Sequence, residues 1–252
     1  MTAQSSLLSG KRSPRQTASA SSRTFLKRGQ LKRIPKPKPR GLPFAGINGE
    51  FAKRLFDIAF SLFVLIMFSP VYLLLGLLIA AGSEGPIFYV QERVGKNYKT
   101  FNCIKFRTMV SNADDILMQI METSPQMRDE FESSFKLKHD PRITHIGHFL
   151  RITSLDEFPQ FWNVLKGDMS VVGPRPLVEE ELPKYGYHID QILTIKPGIT
   201  GLWQVSGRND IPYPRRVQID LHYVKFRTFW LDLWIVLKTI GVVIIPKNNG
   251  AY

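Results

Sequence analysis

The sequence has a single cysteine, Cys103, so no disulfide can form within the chain. Because structural disulfides are typical of oxidising compartments, this favours a protein that faces the cytosol. Acidic residues are almost missing from residues 1–50, which hold eleven Lys or Arg against one acid, Glu50. The net charge of +13 therefore belongs mainly to this segment, since the remaining 202 residues carry 23 Lys or Arg and 20 acids.

Residues 1–50 are also short of large apolar side chains and rich in Ser, Pro, Lys and Arg. Such a segment buries too little apolar surface to offset the entropy of ordering, so it is predicted to be a disordered basic tail. Its charge favours the anionic inner face of a membrane, although a solvated linker has the same composition. Stacking aromatics and nucleic-acid motifs are lacking, so no nucleic-acid partner is expected.

An uncharged apolar run covers residues 58–81 and is long enough, as a helix, to cross a hydrocarbon core about 30 Å thick. Ser69-Pro70 lies at its centre, where proline removes a backbone hydrogen bond and bends the helix. Each arm of about eleven residues then reaches about 16 Å, roughly half way across. We therefore predict a re-entrant membrane helix over residues 51–82, with a kinked spanning helix as the alternative.

Positive charge on both sides of the run favours the re-entrant form. Lys53 and Arg54 precede it, and Arg93, Lys96 and Lys105 follow it. Positive residues favour the cytoplasmic side, so both flanks are expected there.

A second apolar stretch begins at residue 226 and contains Asp232 and Lys238, which leave it too short to span. Trp230 and Trp234 suit the headgroup region of a membrane, so an interfacial helix is predicted. A core helix is an equally good interpretation.

Residues 83–252 are predicted to form a small α+β domain that lies on the membrane. "IFYVQERVG" and "TFNCIKFRTM" favour strands, while "NADDILMQIMETS" and "SLDEFPQFWNVLKG" favour helices. Side chains alternate in an extended "CIKFRT", so Lys105 and Arg107 would share one face and point at one spot. A solvated strand face is the alternative.

Two adjacent acids, Asp156 and Glu157, stand within the pattern Ser154-x-x-Glu157. This pattern matches a capping box, in which Ser154 begins a helix and Glu157 reaches back to it, without any catalysis. A helix N-terminus also binds phosphate, and its field keeps a nearby carboxylate ionised. One acid could then attack a phosphate while the other binds a divalent cation, for which Mg²⁺ fits best.

Arg175 lies between Pro174 and Pro176, which preorganise its guanidinium for phosphate contact unless the segment is only a surface turn. Residues 197–210 add Arg208 and three glycines suited to tight turns and close approach to a ligand, at positions 198, 201 and 207. His145-x-x-His148 lacks the further ligands that a zinc site requires.

In this order the motifs resemble the bacterial sugar transferases, the monotopic polyprenyl-phosphate hexose-1-phosphate transferases. The resemblance runs from about Lys53 to Ile245, through "KRLFDIAFSLFVLIMFSP", "KFRTM", "SLDEFPQFWNVLKGDMSVVGPRP" and "PGITGLWQVSGRND". The chain is most similar to the short, succinoglycan-type members, which lack the large multi-helix N-terminal region.

The resemblance implies that Asp156 attacks the β-phosphate of a UDP-hexose, with galactose or glucose as the sugar, and expels UMP. The resulting aspartyl phosphosugar would pass its sugar phosphate to polyprenyl (undecaprenyl) phosphate, the first step of exopolysaccharide or capsule synthesis. The site would lie at the cytoplasmic surface of the bacterial inner membrane, in contact with phospholipid, and homo-oligomers remain an open alternative.

The resemblance also implies roles for individual residues. Glu157 would hold Mg²⁺, and Ser69-Pro70 would form the break of the re-entrant helix. The residues expected to bind phosphate or substrate groups are Lys105, Arg107, Arg175 and Arg208, with Lys53 and Arg54 for the lipid phosphate and Asp220 as a further acid of the site. A membrane scaffold without catalysis and a Mg²⁺-dependent phosphatase are the rival functions.

Overall fold

A computed structural model describes residues 47–134, 137–207 and 211–244. Residues 1–46, most of the predicted tail, and Arg208 lie outside them. The described part mixes helices and strands, which confirms the α+β prediction. The helices are α1 (Ile47–Met67), α2 (Ser69–Gly82), α3 (Ala113–Thr123), α4 (Pro125–Ser134), α5 (His145–Thr153), α6 (Gln160–Lys166), α7 (Leu182–Tyr185), α8 (Ile189–Ile192), α9 (Tyr213–Phe226) and α10 (Phe229–Ile244).

Within the described residues, four short strands form two separate pairs. Strands β1 (Phe88–Val94) and β2 (Thr100–Phe106) are antiparallel, with Tyr89 opposite Lys105. Strands β3 (Ser170–Val172) and β4 (Gly198–Thr200) are parallel. A Cβ atom on Gly198 or Gly201 would collide with the backbone of Gly173. These two glycines therefore allow two chain segments to approach, whereas the sequence predicted a close approach to a ligand.

The apolar run is broken where the sequence predicts. Helix α1 ends at Met67 and α2 starts at Ser69, so Pro70 lies in the first turn of α2, where its missing N–H is tolerated. The hydroxyl of Ser69 donates to the carbonyl oxygen of Ile66 at 2.8 Å, which supplies the hydrogen bond that Pro70 cannot make. Ser69 and Pro70 together thus break the helix without leaving the carbonyl of Ile66 unpaired.

Among the described residues, no single helix has the length and apolar character needed to cross a membrane. The pair formed by Gly49–Met67 and Ser69–Gly82 meets both criteria when taken together, with a bend of 61° between its helices.

The two helices are unequal, although the break divides the apolar run itself close to its middle, as predicted. Helix α1 has 21 residues and α2 has 14, because α1 begins well before the apolar run. A polar stripe at four-residue spacing, Lys53, Asp57 and Ser61, is buried on α1. Asp57 accepts hydrogen bonds from the Ser170 hydroxyl and the Val171 N–H, both at 3.0 Å. The first half of α1 therefore belongs to the domain core.

Lys53 and Arg54 are used to hold this helix in place. Lys53 forms a 2.6 Å ion pair with Asp232 of α10, and both side chains are buried. Arg54 donates to the carbonyl oxygens of Val164 and Leu165 at 2.6 and 2.7 Å. The charge of Lys53 is neutralised by Asp232 inside the protein, so this geometry does not favour a role of Lys53 in steering a lipid phosphate, and that role stays a prediction.

Arg107 fastens the other end of the bent pair. Its guanidinium donates to the carbonyl oxygens of Ser83 and Glu84, each at 2.7 Å, just after α2 ends. These groups include a carbonyl that the end of a helix leaves unpaired. Arg107 and Lys105 therefore have different partners, contrary to the prediction that they point at one spot. Both ends of the bent pair are attached to the same domain.

Helix α10 has one buried face and one exposed apolar face, so the interpretation as a core helix is confirmed and the interfacial helix stays a prediction. Ile235, Val236 and Asp232 are buried in the core on one face. The other face exposes Trp230 by 74% and Leu237 by 61%, an unusual exposure for such large apolar side chains.

The Lys53–Asp232 pair gives a direct test of the fold. We expect Lys53→Met to lower the free energy of unfolding by about 3–5 kcal/mol, because it leaves the Asp232 carboxylate buried without its cation. Urea unfolding in detergent, followed by circular dichroism, measures the change. The matched control is Lys166→Met in the exposed Lys166–Asp168 pair, where a loss below about 1 kcal/mol is expected. Equal losses in the two variants would show that the buried pair does not hold α1.

Candidate active site

The adjacent acids lie in a tight turn between two helices. Ser154 has a left-handed conformation, with φ of 58°, and its N–H bonds back to carbonyls of α5. Residues Leu155–Glu157 then form one 3₁₀ turn, and α6 begins only at Gln160. The predicted capping box is therefore wrong, because Ser154 ends one helix and its side chain caps none. The turn places Asp156 and Glu157 in different surroundings.

Contacts on both sides hold this turn. At the start of α5, Gly147 packs directly on the carbonyl of Thr108, where no Cβ atom would fit. The hydroxyl of Tyr72 on α2 donates to the carbonyl oxygen of Phe158 at 2.7 Å, one residue beyond the acids. The bent helix pair is thus connected directly to the turn that carries Asp156 and Glu157.

Glu157 is paired with cations from two other parts of the chain. Its Oε1 atom lies 2.7 Å from Nζ of Lys105 on β2 and 3.7 Å from Nη1 of Arg175. All three side chains are largely but not fully buried. The structure therefore brings together three of the residues singled out in the sequence.

Asp156 has a carboxyl group whose pKa burial raises to about 6. The positive charge of Lys105 opposes this rise, the negative charge of Glu157 adds to it, and Arg151 and Arg175 lower the pKa again. The sequence predicted that the field of a helix N-terminus keeps this carboxylate ionised. In the structure, its pKa depends instead on a balance between desolvation, which raises it, and three cations, which lower it. At neutral pH the group is mostly ionised, yet it remains close to its protonation point.

The sequence reasoning missed Arg151. This residue lies in the last turn of α5, five positions before Asp156, and its Nε donates to the Thr108 hydroxyl at 3.1 Å. Its charge acts on Asp156 because the left-handed Ser154 turns the chain back towards α5. The short distance in sequence between Arg151 and the acids could have indicated its role. That role depends, however, on the reversal of the chain at Ser154, which the sequence pattern did not predict.

Arg175 lies in a segment that is held by backbone hydrogen bonds. The N–H of Gly173 donates to Thr200 at 2.9 Å, and the carbonyl of Pro174 accepts from Gly198 at 2.8 Å, so β4 fixes the turn. Arg93 of β1 donates to the carbonyl of Pro176 at 3.2 Å. Burial and the charge of Arg175 both lower the pKa of Arg93, which marks a second cation that the sequence reasoning missed.

Asp220 is buried in α9, and its carboxyl accepts a hydrogen bond from the Tyr185 hydroxyl at 3.1 Å. Burial raises the pKa of Asp220 to about 8, although the hydrogen bond from Tyr185 opposes the rise. A largely protonated acid of this kind is suited to the core. The hydrogen bond from Tyr185 helps to position Asp220, and its role as a further acid of the site stays a prediction.

The two carboxylates fit the protein's share of a magnesium site. Mg²⁺ is commonly held by one or two carboxylates while substrate phosphates and water fill the other positions. Asp156 and Glu157 supply such a pair beside a group of cations suited to phosphate. No cluster of three or more His, Cys, Asp or Glu suited to a metal occurs in residues 47–134, 137–207 and 211–244.

Comparison with known proteins finds relatives over most of the chain. It is 50% identical over 205 residues to the undecaprenyl-phosphate galactose phosphotransferase of Salmonella typhimurium. It is 48% identical over the same length to the UDP-galactose-lipid carrier transferase of Erwinia amylovora. Each match covers 81% of this chain but only 42% of the relative, so the chain spans less than half the length of these proteins.

A shorter relative is covered almost completely. The exopolysaccharide production protein ExoY of Sinorhizobium fredii is 44% identical over 201 residues, which are 80% of this chain and 89% of that protein. The family model for the bacterial sugar transferases matches residues 48–246. This match confirms the resemblance seen in the motifs and shows that the chain belongs to the bacterial sugar transferase family.

Proposed function

We propose that the chain transfers hexose 1-phosphate from a UDP-hexose to polyprenyl phosphate and releases UMP. The observation that carries this proposal is the environment of Asp156, a carboxyl of raised pKa subject to the charges of Lys105, Arg151 and Arg175. Such a group is available as a nucleophile, and the cations beside it suit a substrate that carries two phosphates.

In the first step, a carboxylate oxygen of Asp156 forms a bond to the β-phosphorus of the UDP-hexose. The bond from that phosphorus to the bridging oxygen breaks, and UMP leaves with the electron pair. Lys105 and Arg175 neutralise charge on the phosphate oxygens, since both are within reach of the carboxylate pair.

In the second step, a phosphate oxygen of the lipid acceptor attacks the same phosphorus. The bond to Asp156 breaks, which restores the carboxylate and leaves the sugar joined to the lipid through a diphosphate. Splitting one transfer into two displacements in this way predicts ping-pong kinetics.

Glu157 would hold Mg²⁺ together with the substrate phosphates, and the ion would supply neutralisation of phosphate charge. Within the protein, Glu157 also orients Lys105 through their 2.7 Å contact. The lysine is thereby kept beside Asp156 before the substrate binds.

The bent helix pair would lie in the inner membrane as a re-entrant hairpin. This is supported by the attachment of both its ends to one domain, through Lys53 and Arg107. The exposed apolar face of α10 would rest at the same surface. A water-soluble sugar nucleotide and a lipid that stays in the bilayer would then meet at Asp156.

Galactose and glucose are the sugars we propose. Two of the relatives named above carry galactose in their names, and a transferase of Klebsiella pneumoniae named for UDP-glucose and glucose 1-phosphate is 39% identical over 215 residues.

The nucleophile is tested by Asp156→Asn, which keeps the size of the side chain but cannot form the acyl phosphate. We expect loss of UMP release from UDP-galactose or UDP-glucose, and loss of radiolabel retained on the denatured protein. Asp168→Asn, the same change in the partly exposed Lys166–Asp168 pair, serves as the control and should retain both. Full activity of Asp156→Asn would refute the assignment, and release of sugar phosphate without a lipid acceptor would indicate a phosphatase.

The pH dependence of the first step follows from the pKa of Asp156. Only the ionised carboxylate attacks, so kcat/KM for UMP release, which reports the free enzyme, should rise with pH through about 6 and level off above it. Arg175→Gln removes a cation that lowers this pKa, and should move the rise to higher pH. Rates measured between pH 5 and 8 check both statements. A pH-independent rate in this range would contradict them.

The hairpin is tested by labelling from either side of the membrane. Single cysteines replace Glu50, before the bend, and Lys99, after it, in a chain with Cys103→Ala; both positions are exposed. A maleimide that cannot cross membranes should label both in inverted vesicles and neither in intact cells. Labelling of one position from each side would favour a spanning helix instead.

A further inference from the structure

Arg93 lies on the same face of the β1–β2 hairpin as Lys105, the lysine that contacts Glu157. Side chains alternate along a strand, so Tyr89, Gln91 and Arg93 share one face of β1, and the register places Tyr89 opposite Lys105. Oε1 of Gln91 accepts a hydrogen bond from Nη2 of Arg93 at 2.5 Å. The face of the hairpin that adjoins the acids therefore carries two cations, with the neutral Gln91 between them.

The guanidinium of Arg93 is also beside the segment that carries Arg175. Its Nη1 atom donates to the carbonyl oxygen of Pro176 at 3.2 Å. The positive charge of Arg175 lowers the pKa of Arg93, and it lowers the pKa of Asp156 as well. Arg175 is therefore near both groups, and the cationic surface beside Asp156 extends to Arg93.

Arg93 has more hydrogen-bond donors than the protein uses. Of the five N–H groups of an arginine, two meet acceptors within the described residues, at Pro176 and Gln91. The buried Nε–H has no acceptor in that part of the chain. Glu181 lies 3.7 Å from Nη1, beyond hydrogen-bond distance, and its Oε2 accepts from the Val178 N–H at 3.2 Å. Donors on this guanidinium therefore remain for a further acceptor.

A purely structural role would not require this arginine. The N–H of Val94 donates to the carbonyl oxygen of Leu177 at 2.8 Å, so the backbone already joins β1 to the segment that follows Arg175. The hydrogen bond from Arg93 to Pro176 is longer and uses one donor of five. The charge and the remaining donors are thus not explained by the attachment of the two segments.

Carboxylates offset only part of the positive charge in this place. Glu157 and Glu181 each raise the pKa of both Arg93 and Arg175. Glu157 is also in direct contact with Lys105, so its single charge is shared among three cations. Like charges that are largely withdrawn from water are destabilising unless further negative charge accompanies them. A diphosphate would supply that charge.

We infer that Arg93 binds the α-phosphate of the UDP-hexose, while Lys105 and Arg175 bind the β-phosphate beside Asp156. This rests on the proposed function and adds to it a residue for the leaving group. When the bond from the β-phosphorus to the bridging oxygen breaks, the electron pair stays on that oxygen, which leaves as part of UMP. The phosphate of UMP thereby gains one negative charge, which the guanidinium of Arg93 stabilises.

The order of the two phosphates follows from the distance to the nucleophile. Lys105, Arg151 and Arg175 are the cations that act most strongly on Asp156, so they suit the phosphate that is attacked. Arg93 lies four residues along β1 from the position opposite Lys105, a distance of about 13 Å along the backbone. It therefore suits the phosphate that is further from the nucleophile.

Binding of UMP tests the contact without any turnover. UMP carries the α-phosphate and uridine does not, so calorimetry with Mg²⁺ present should separate them. For Arg93→Gln we expect the Kd of UMP to rise about 10- to 100-fold, from loss of a charged hydrogen bond, and the Kd of uridine to stay unchanged. Arg93→Lys keeps the charge and should recover part of the loss.

The first displacement gives the second measurement. Without a lipid acceptor, the rate at which radiolabelled sugar phosphate from UDP-galactose or UDP-glucose is retained on the denatured protein should fall by a similar factor in Arg93→Gln. The pH midpoint of kcat/KM should remain at about 6, because the charges of Lys105 and Arg175 still act on Asp156. Arg215→Gln removes an exposed arginine that contacts Gln218 and should leave both measurements as in the wild type.

Each other outcome would overturn the inference. An unchanged Kd of UMP in Arg93→Gln would exclude the contact, and an equal loss of uridine binding would assign Arg93 to the nucleoside. A pH midpoint that moves upwards, as expected for Arg175→Gln, would show that Arg93 acts by positioning Arg175.

Failure of the proposed function would look different. If the wild type bound UMP through Arg93 but neither released UMP from a UDP-hexose nor retained label, the transfer reaction would be refuted and the phosphate contact would stand. If the wild type did both and Arg93→Gln matched it in every measurement, only the role of Arg93 would be refuted.

Discussion

An ammonium and a carboxylate that are both withdrawn from water must meet, because either charge left alone in the core is strongly destabilising. Lys53 of α1 and Asp232 of α10 meet at 2.6 Å, and the Tyr223 hydroxyl donates to the same carboxylate at 2.6 Å. This contact fixes the start of the apolar helix pair on the domain. Arg107 holds the end of α2, so both ends of the bent pair are attached to the domain, and Tyr72 reaches the turn that carries the acids.

The adjacent acids differ because the turn between α5 and α6 gives each its own surroundings. Glu157 meets Lys105 directly and Arg175 at a longer distance, so its charge is compensated within the protein. Asp156 is subject to the same cations, but burial dominates and raises its pKa to about 6. A compensated carboxylate is suited to orienting a lysine or binding a metal, whereas an incompletely compensated one is suited to attack.

Local patterns predicted local structure well: the two strands of the hairpin, the break at Ser69-Pro70 and the rigid turn at Arg175 are all present. The roles of the basic residues were harder to predict, because each role depends on a partner that the local sequence does not show. Lys53 pairs with a residue 179 positions away, and Arg54 binds carbonyls more than 100 positions away. The capping box failed for a related reason, since the preceding helix ends in a left-handed Ser154.

A carboxyl whose pKa is higher in the folded chain than in the unfolded one favours folding only while it is protonated. Stability is therefore lost as pH rises from the ordinary aspartate value near 4 to about 6, and Asp156 opposes folding at neutral pH. Lys105 and Arg175 limit this loss, and in the proposed reaction the same two cations receive the phosphates. A phosphate bound to Lys105 and Arg175 would neutralise part of their positive charge, and the pKa of Asp156 would therefore rise. The carboxylate would then be most nucleophilic when the reacting phosphorus is beside it.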